Sequence, residues 1–219
     1  MNFLGIIVSY AYIALVIIGA KIFEKRGKEA SRKFIHIMLG NWWFIVMYFF
    51  TNVWWALLVP ATFVAINYMS YKKNLIKVME RDEQDGLGTV YYAIALLVLV
   101  IVSFGIFKKP SLGLVPTLVM AYGDGLAALI GKNIKSKKYK LGDTKKSFAG
   151  SATMFIISTL LIGAYLAFYH VGIFWQNAHW PLVSCLMGFA ITAIEAVSGK
   201  GWDNITVPLA TLAMLILIG

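Results

Sequence analysis

Apolar runs about as long as a bilayer is thick recur from one end of this chain to the other, and nothing else restricts its fold as much. A helix needs about 20 apolar residues to cross a hydrocarbon core of about 30 Å. The 219 residues are 60% hydrophobic and only 14% charged, too little polar surface to clothe so many runs in a water-soluble core. The expected fold is an all-α polytopic integral membrane protein with eight transmembrane helices. They fall at about 3–20, 34–50, 53–69, 88–107, 111–131, 148–169, 181–197 and 204–218, within a single membrane-embedded domain over 1–219. Thr51–Asn52 and Lys108–Lys109–Pro110 mark tight breaks between spans.

The first run lacks a basic segment before its apolar core, so it reads as a mature helix rather than a secretory signal. Cys185 is the single cysteine; no internal disulfide can form, and its position in an apolar run points to packing. The net charge of +10 comes without any zinc-finger, basic-zipper or aromatic RNA-binding pattern, so no nucleic-acid partner is expected. The charge instead orients the chain. Of the 20 Lys and Arg residues, only Lys108 and Lys109 fall on the side opposite the rest. Both termini are therefore expected outside and the large basic loops in the cytoplasm.

Every polar cluster with chemical potential falls at that same face. Asp124, between Gly123 and Gly125, ends one greasy run; an acid there is costly unless water or a cation meets it. The flanking glycines admit either phosphate oxygens or a second helix. Lys145, Lys146, Ser147, Gly150 and Ser151 open the next span, where free amides and the positive helix end suit an anion. Ser147 can cap that helix or bind phosphate. Lysines 132 to 140 fix topology or touch anionic lipid. Glu195 ends the seventh span, and Asp203 and Asn204 open the eighth, so oxygen-bearing groups converge on a cation or its waters; a capping role competes for Asp203 and Asn204. Arg32, Lys33 and His36 cluster, with Arg32 and His36 on one helix face, fit to bind phosphate or relay a proton; membrane anchoring is the alternative for Lys33 and a structural hydrogen bond for His36, and Asn41 lies farther along the span. In the acidic loop holding Glu80, Asp82, Glu83 and Asp85, Glu83 and Asp85 are the better candidates for a metal–nucleotide site. A carboxylate suited to Mg²⁺ beside cations suited to phosphate suggests a polyphosphate meeting a lipid.

The motifs RKFIH (32–36), GDGLAALIG (123–131), KSFAGS (146–151) and EAVSGKGWDN (195–204), with EQDGLGTVYYA (83–93), resemble those of the CTP-dependent lipid-alcohol kinases. That group, which includes the dolichol, phytol and CTP-using diacylglycerol kinases, is related to the CDP-diacylglycerol synthases. The resemblance implies transfer of the terminal phosphoryl group of CTP to a hydrophobic alcohol, with a compact phytol-type or other polyprenol kinase easiest to accept. Asp124 matches the family's acid after glycine, Lys146 its lysine before serine, and Asp203–Asn204 the later acid–amide pair, which implies nucleotide and Mg²⁺ roles. The expected catalytic set is Asp124, Lys146, His36, Arg32 and Glu195. Gly123, Gly125, Lys145, Lys146, Ser147, Gly150, Ser151 and Asn204 are expected at the nucleotide, and Asp124, Asp203 and Glu195 at the metal. The expected partners are CTP, a membrane lipid alcohol and the bilayer, with homo-oligomerisation left open.

A cytidylyltransferase making a CDP-lipid from a phosphorylated lipid is the alternative, since both reactions neutralise a triphosphate and align a lipid oxygen with phosphorus. A transporter is disfavoured: no inverted repeat is evident, and the polar groups gather on one side.

Overall fold

The structure, a computed structural model, describes residues 1–25, 27–73, 87–141, 144–169, 179–199 and 201–219. Its helices are α1 (Asn2–Glu24), α2 (Lys28–Gly40), α3 (Trp42–Phe49), α4 (Val53–Lys73), α5 (Gly88–Ile106), α6 (Pro110–Asn133), α7 (Phe148–Tyr169), α8 (Trp180–Val197) and α9 (Asp203–Ile218). Six of them, α1 and α4 to α8, are long and apolar enough to cross a membrane, so the chain is a polytopic, all-α integral membrane protein. Their bounds follow the apolar runs closely, because the runs end at charge, glycine or proline. Between α5 and α6, Lys108 takes a positive φ of 54° and Pro110 opens a short 3₁₀ turn.

The other two expected spans depart from the reading. The run 34–50 is broken at Asn41 into α2 and α3, and α9 has 16 residues, short of the usual crossing length. Cys185, expected to pack, is exposed on α8. Within the basic loop stands a small antiparallel hairpin that the sequence reading did not foresee, β1 (Lys138–Leu141) with β2 (Thr144–Ser147). The Tyr139 ring packs on Phe148 with centroids 5.2 Å apart and its hydroxyl bonds Ser151, which ties the hairpin to the start of α7.

Helix α6 is the centre of the bundle. In its apolar window 61% of residues are buried, against 28 to 44% in the other five long helices, so the remaining helices carry the lipid-facing surface. It contacts α2, α7 and α9, while α4 lies along α5 and α7 along α8. The outward faces carry large apolar side chains such as Phe3, Ile18, Trp54, Leu160, Phe168 and Phe189, as a hydrocarbon solvent permits. Helix α6 contains a π-helical turn at Val119–Asp124, an irregularity frequent at functional sites.

Small residues set the spacing around α6. A β-carbon on Gly40 would lie 2.3 Å from the Ala121 methyl, whereas one on Gly105 would lie 3.4 Å from Val53 Cγ2. Gly40→Ala is therefore expected to lower stability by about 1–3 kcal/mol, and Gly105→Ala to change it by less than about 0.5 kcal/mol. Denaturation of the two variants in detergent checks this. Equal midpoints would contradict the α2–α6 contact.

Candidate active site

Asp124 closes the π-helical turn of α6. A β-carbon on Gly123 would stand 2.8 Å from Met154 Sδ of α7, and one on Gly125 would stand 2.4 Å from Ile37 Cγ1 of α2. The two glycines thus let α2 and α7 close on the turn from either side, and the carboxylate meets α2. There Lys33 and His36, three residues apart, share a helix face. The Lys33 ammonium, 2% exposed, donates to Asp124 Oδ2 at 2.6 Å. His36 Nε2 stands 3.2 Å from the same oxygen and 3.0 Å from the Met120 carbonyl. Two acceptors around one ring nitrogen require a proton on Nε2. Tyr92 packs edge-on to the His36 ring, centroids 4.7 Å apart, and donates to the His36 carbonyl at 3.1 Å.

The second half of the site comes from the hairpin and the last two helices. Gly131 and Gly150 approach so closely that a β-carbon on the first would meet the Cα of the second at 3.3 Å. Ser147 caps α7 by accepting from the Gly150 amide at 3.1 Å, while its hydroxyl donates to the Gly131 carbonyl at 3.3 Å. Strand alternation then sends Lys146 and Lys145 to opposite faces. Lys146 bonds Glu195 and stands 3.8 Å from Asp203 Oδ2, whereas Lys145 is exposed. Burial works to depress the Lys146 pKa, but the charges of Glu195 and Asp203 and the hydrogen bond to Glu195 outweigh it and hold the group above the ordinary lysine value.

Asp124, Glu195 and Asp203 each offer an oxygen, all within 4.8 Å of one another. Hard oxygen donors suit Mg²⁺, which holds ligands at about 2.1 Å and so spans about 4.2 Å between opposite oxygens. Adjacent ligands on such an ion lie closer still, so the three carboxylates would draw inward around it, and the hard-oxygen donor set fits a divalent cation. Beside Asp203, Asn204 donates from Nδ2 to the Gly88 carbonyl at 2.9 Å, and its buried Oδ1 has no hydrogen-bond partner among the described residues. Gly201 makes this approach of α9 to α5 possible: its φ is +85°, and a β-carbon there would meet Gly88 Cα at 2.7 Å.

Next to the acids lies a chamber with a polar wall of Arg32, His36, Asn67, Thr89, Tyr92 and Asn204 and apolar surface at Ile35 and Leu39. His36 also touches Asp124, and Asn204 adjoins Asp203, so the acid cluster and the chamber share a wall. Asn67 donates to the Thr89 carbonyl at 3.0 Å. The Arg32 guanidinium makes two bonds to Glu29, at 2.6 and 3.1 Å.

Of the residues expected from sequence, the structure gathers Asp124, Lys146, Glu195, Asp203, His36 and Asn204. Arg32 reaches the chamber wall but is paired with Glu29. Gly123 and Gly125 stand at helix contacts, the second-helix role left open above, and Gly150, expected at the nucleotide, packs against Gly131. Ser147 caps a helix and Ser151 bonds Tyr139. Asn41 accepts from the Tyr122 hydroxyl at 3.0 Å. Glu80, Asp82, Glu83 and Asp85 lie outside the described residues. Lys33, for which the sequence leaves anchoring and a place in the cluster both open, is buried against Asp124; Asn67 has no part in the sequence reading, and Tyr92 enters it only within EQDGLGTVYYA. The signal for Lys33 was its three-residue spacing from His36, amid Phe34, Ile35 and Ile37, on a helix that cannot turn it outward as well.

Known proteins similar to the chain point one way. It is 28% identical over 209 residues to a phytol kinase from Synechocystis sp., covering 91% of this chain and 85% of that protein. A probable chloroplastic phytol kinase from Triticum aestivum is 31% identical over 209 residues, covering 87% of this chain and 68% of that protein. A chloroplastic phytol kinase 1 from Arabidopsis thaliana is 28% identical over 202 residues, covering 84% and 65%. No family model matches the chain, and no solved structure does.

Removing one partner of a buried ion pair leaves the other charge uncompensated, at a cost of about 3–5 kcal/mol. Lys33→Met is expected to lose stability on that scale in metal-free detergent solution, and a second change, Asp124→Asn, to restore part of it. Denaturation midpoints of the single and double variants measure the coupling. A Lys33→Met protein as stable as the parent would contradict the pairing.

Proposed function

Because the chain belongs to the phytol-kinase family of membrane lipid kinases, we propose that it transfers the terminal phosphoryl group of CTP to the hydroxyl of a membrane lipid alcohol, a phytol-type alcohol or another polyprenol. The observation that carries this reading is the shared wall: His36 and Asn204 border both the carboxylate cluster and the polar chamber. A donor nucleotide and an acceptor hydroxyl must meet across just such a boundary.

Asp124, Glu195 and Asp203 would hold Mg²⁺, and Asn204 would support that shell. When bound, the cation neutralises the donor phosphates and orients the terminal one. Lys146 lies against the acids as a point charge and swings to the phosphates as they enter. Arg32, expected in the catalytic set, stays paired with Glu29 on the chamber wall and takes no part in this scheme. Attack forms the bond from the alcohol oxygen to the terminal phosphorus, the bond to the bridging oxygen breaks, and CDP leaves. His36, whose Nε2 proton is committed to Asp124 and Met120, takes the hydroxyl proton on its other nitrogen as transfer completes.

The chamber lining favours a neutral acceptor. Asn67, Thr89, Tyr92 and Asn204 carry no charge, and the charge of Arg32 is already met by Glu29. A lipid phosphate, which a cytidylyltransferase would need, finds no free cation on that wall among the described residues. By the lysine asymmetry the site opens to the cytoplasm and the alcohol enters sideways from the bilayer.

Purified protein with CTP labelled on its terminal phosphate, Mg²⁺, phytol, other prenols, diacylglycerol and phosphatidate tests the reading. Label is expected on an alcohol, with CTP preferred to ATP and UTP. Chelation abolishes transfer, and Asp203→Asn lowers it by at least about 100-fold while the protein still inserts into membranes. Pyrophosphate release that depends on phosphatidate would overturn it.

A further inference from the structure

A second, small cavity lies beyond the polar chamber among α1, α3, α4 and α5. Ile13, Trp42, Val59, Phe63, Ala93 and Leu96 form its apolar wall. Leu39, Asn67 and Tyr92 line both cavities and so stand between them, where a neck would run. The polar atoms nearby are engaged elsewhere. The Trp42 indole N–H donates to Ser9 Oγ at 2.9 Å, the Tyr92 hydroxyl to the His36 carbonyl at 3.1 Å, and the Asn67 amide to the Thr89 carbonyl at 3.0 Å. What the second cavity offers is carbon, and an apolar cavity of this kind stays dry and takes hydrocarbon.

Resting on the lipid-kinase reading, we infer that the apolar chamber receives the hydrocarbon chain of the acceptor alcohol, its hydroxyl held at the Asn67–Tyr92 neck toward His36. The sequence of environments matches such a molecule end to end: acid cluster, polar chamber, neck, apolar chamber. This chamber has room for one chain at most, which favours a prenol over a two-chain diacylglycerol. Ile13, Trp42, Val59, Ala93 and Leu96 are buried, whereas Phe63 is half-buried. Phe63 stacks on Tyr10 of α1 with centroids 6.4 Å apart, and the Tyr10 hydroxyl lies 2.6 Å from that of Thr62. This α1–α4 seam is where the chain passes between bilayer and chamber. Ala93, 2% exposed, sets the bulk the chamber accepts.

The test uses the intact chain in lipid nanodiscs, a phytol analogue carrying a photoreactive diazirine on its hydrocarbon tail, and peptide mapping of the crosslinks. Crosslinks are expected on α4 near Val59–Phe63 and on α5 near Ala93–Leu96, and Ala93→Phe, which fills the chamber, is expected to suppress them. In steady-state assays Ala93→Phe lowers the preference for phytol over a short-chain prenol by about tenfold. Phe63→Trp, at a half-buried position that spares the core, shifts the same ratio if Ala93→Phe does not fold. Crosslinks confined to other helices, or an unchanged ratio in a folded variant, would overturn the inference. Crosslinking in the chamber without phosphoryl transfer to any alcohol would defeat the kinase reading and leave the chamber standing. Transfer with crosslinks elsewhere would do the reverse.

Discussion

Three carboxylates within 4.8 Å of one another inside a helical bundle repel by about 3–4 kcal/mol per pair at an effective dielectric of about 20. The architecture around α6 reads as the response to that repulsion. Lys33 enters from α2 to meet Asp124, and Lys146 enters from β2 to meet Glu195 and Asp203. Each ammonium arrives through a close glycine contact: Gly125 against Ile37 for the first, Gly131 against Gly150 for the second. Backbone packing and charge pairing are thus one design, since widening either contact would strand an acid. Two ammoniums against three carboxylates still leave an excess of negative charge, and that excess is what a divalent cation relieves.

The same cluster gives direction to the space beside it. His36 and Asn204 belong to the acid side and to the polar chamber, and Asn67 and Tyr92 belong to the polar chamber and to the apolar one. Polarity falls steadily from metal ligands through neutral hydrogen-bonding groups to hydrocarbon. An amphiphile with one small polar end can lie along that gradient in only one direction. Such an arrangement positions a hydroxyl at the acid boundary without requiring any group to recognise the chain chemically.

The long spans were legible because a bilayer imposes a length that composition records directly: the bounds of α1 and α4 to α8 follow the apolar runs. The break at Asn41 was not, because no proline or charge marks it; it arises where Gly40 meets Ala121 in tertiary contact. The acids were legible for the opposite reason to the spans, being too costly in apolar sequence to lack a partner. The partner itself was harder to read. Lys146 fell within a conspicuous lysine-rich run, and only its inward strand face sets it apart from Lys145. Lys33 had two readings of similar merit, and helix packing that sequence does not encode locally decided between them. Glycines 123 and 125 look alike whether they admit phosphate or a helix; the distances to Met154 and Ile37 account for them as packing positions.

The central claim is that Asp124, Glu195 and Asp203 bind one cation that also carries the nucleotide. Electron paramagnetic resonance of Mn²⁺, titrated into the purified protein with and without CTP, tests it without relying on turnover. The account predicts one tightly bound ion whose affinity rises with CTP and whose signal disappears in Asp203→Asn. Equal Mn²⁺ binding by the parent and by Asp203→Asn, with or without nucleotide, would contradict it.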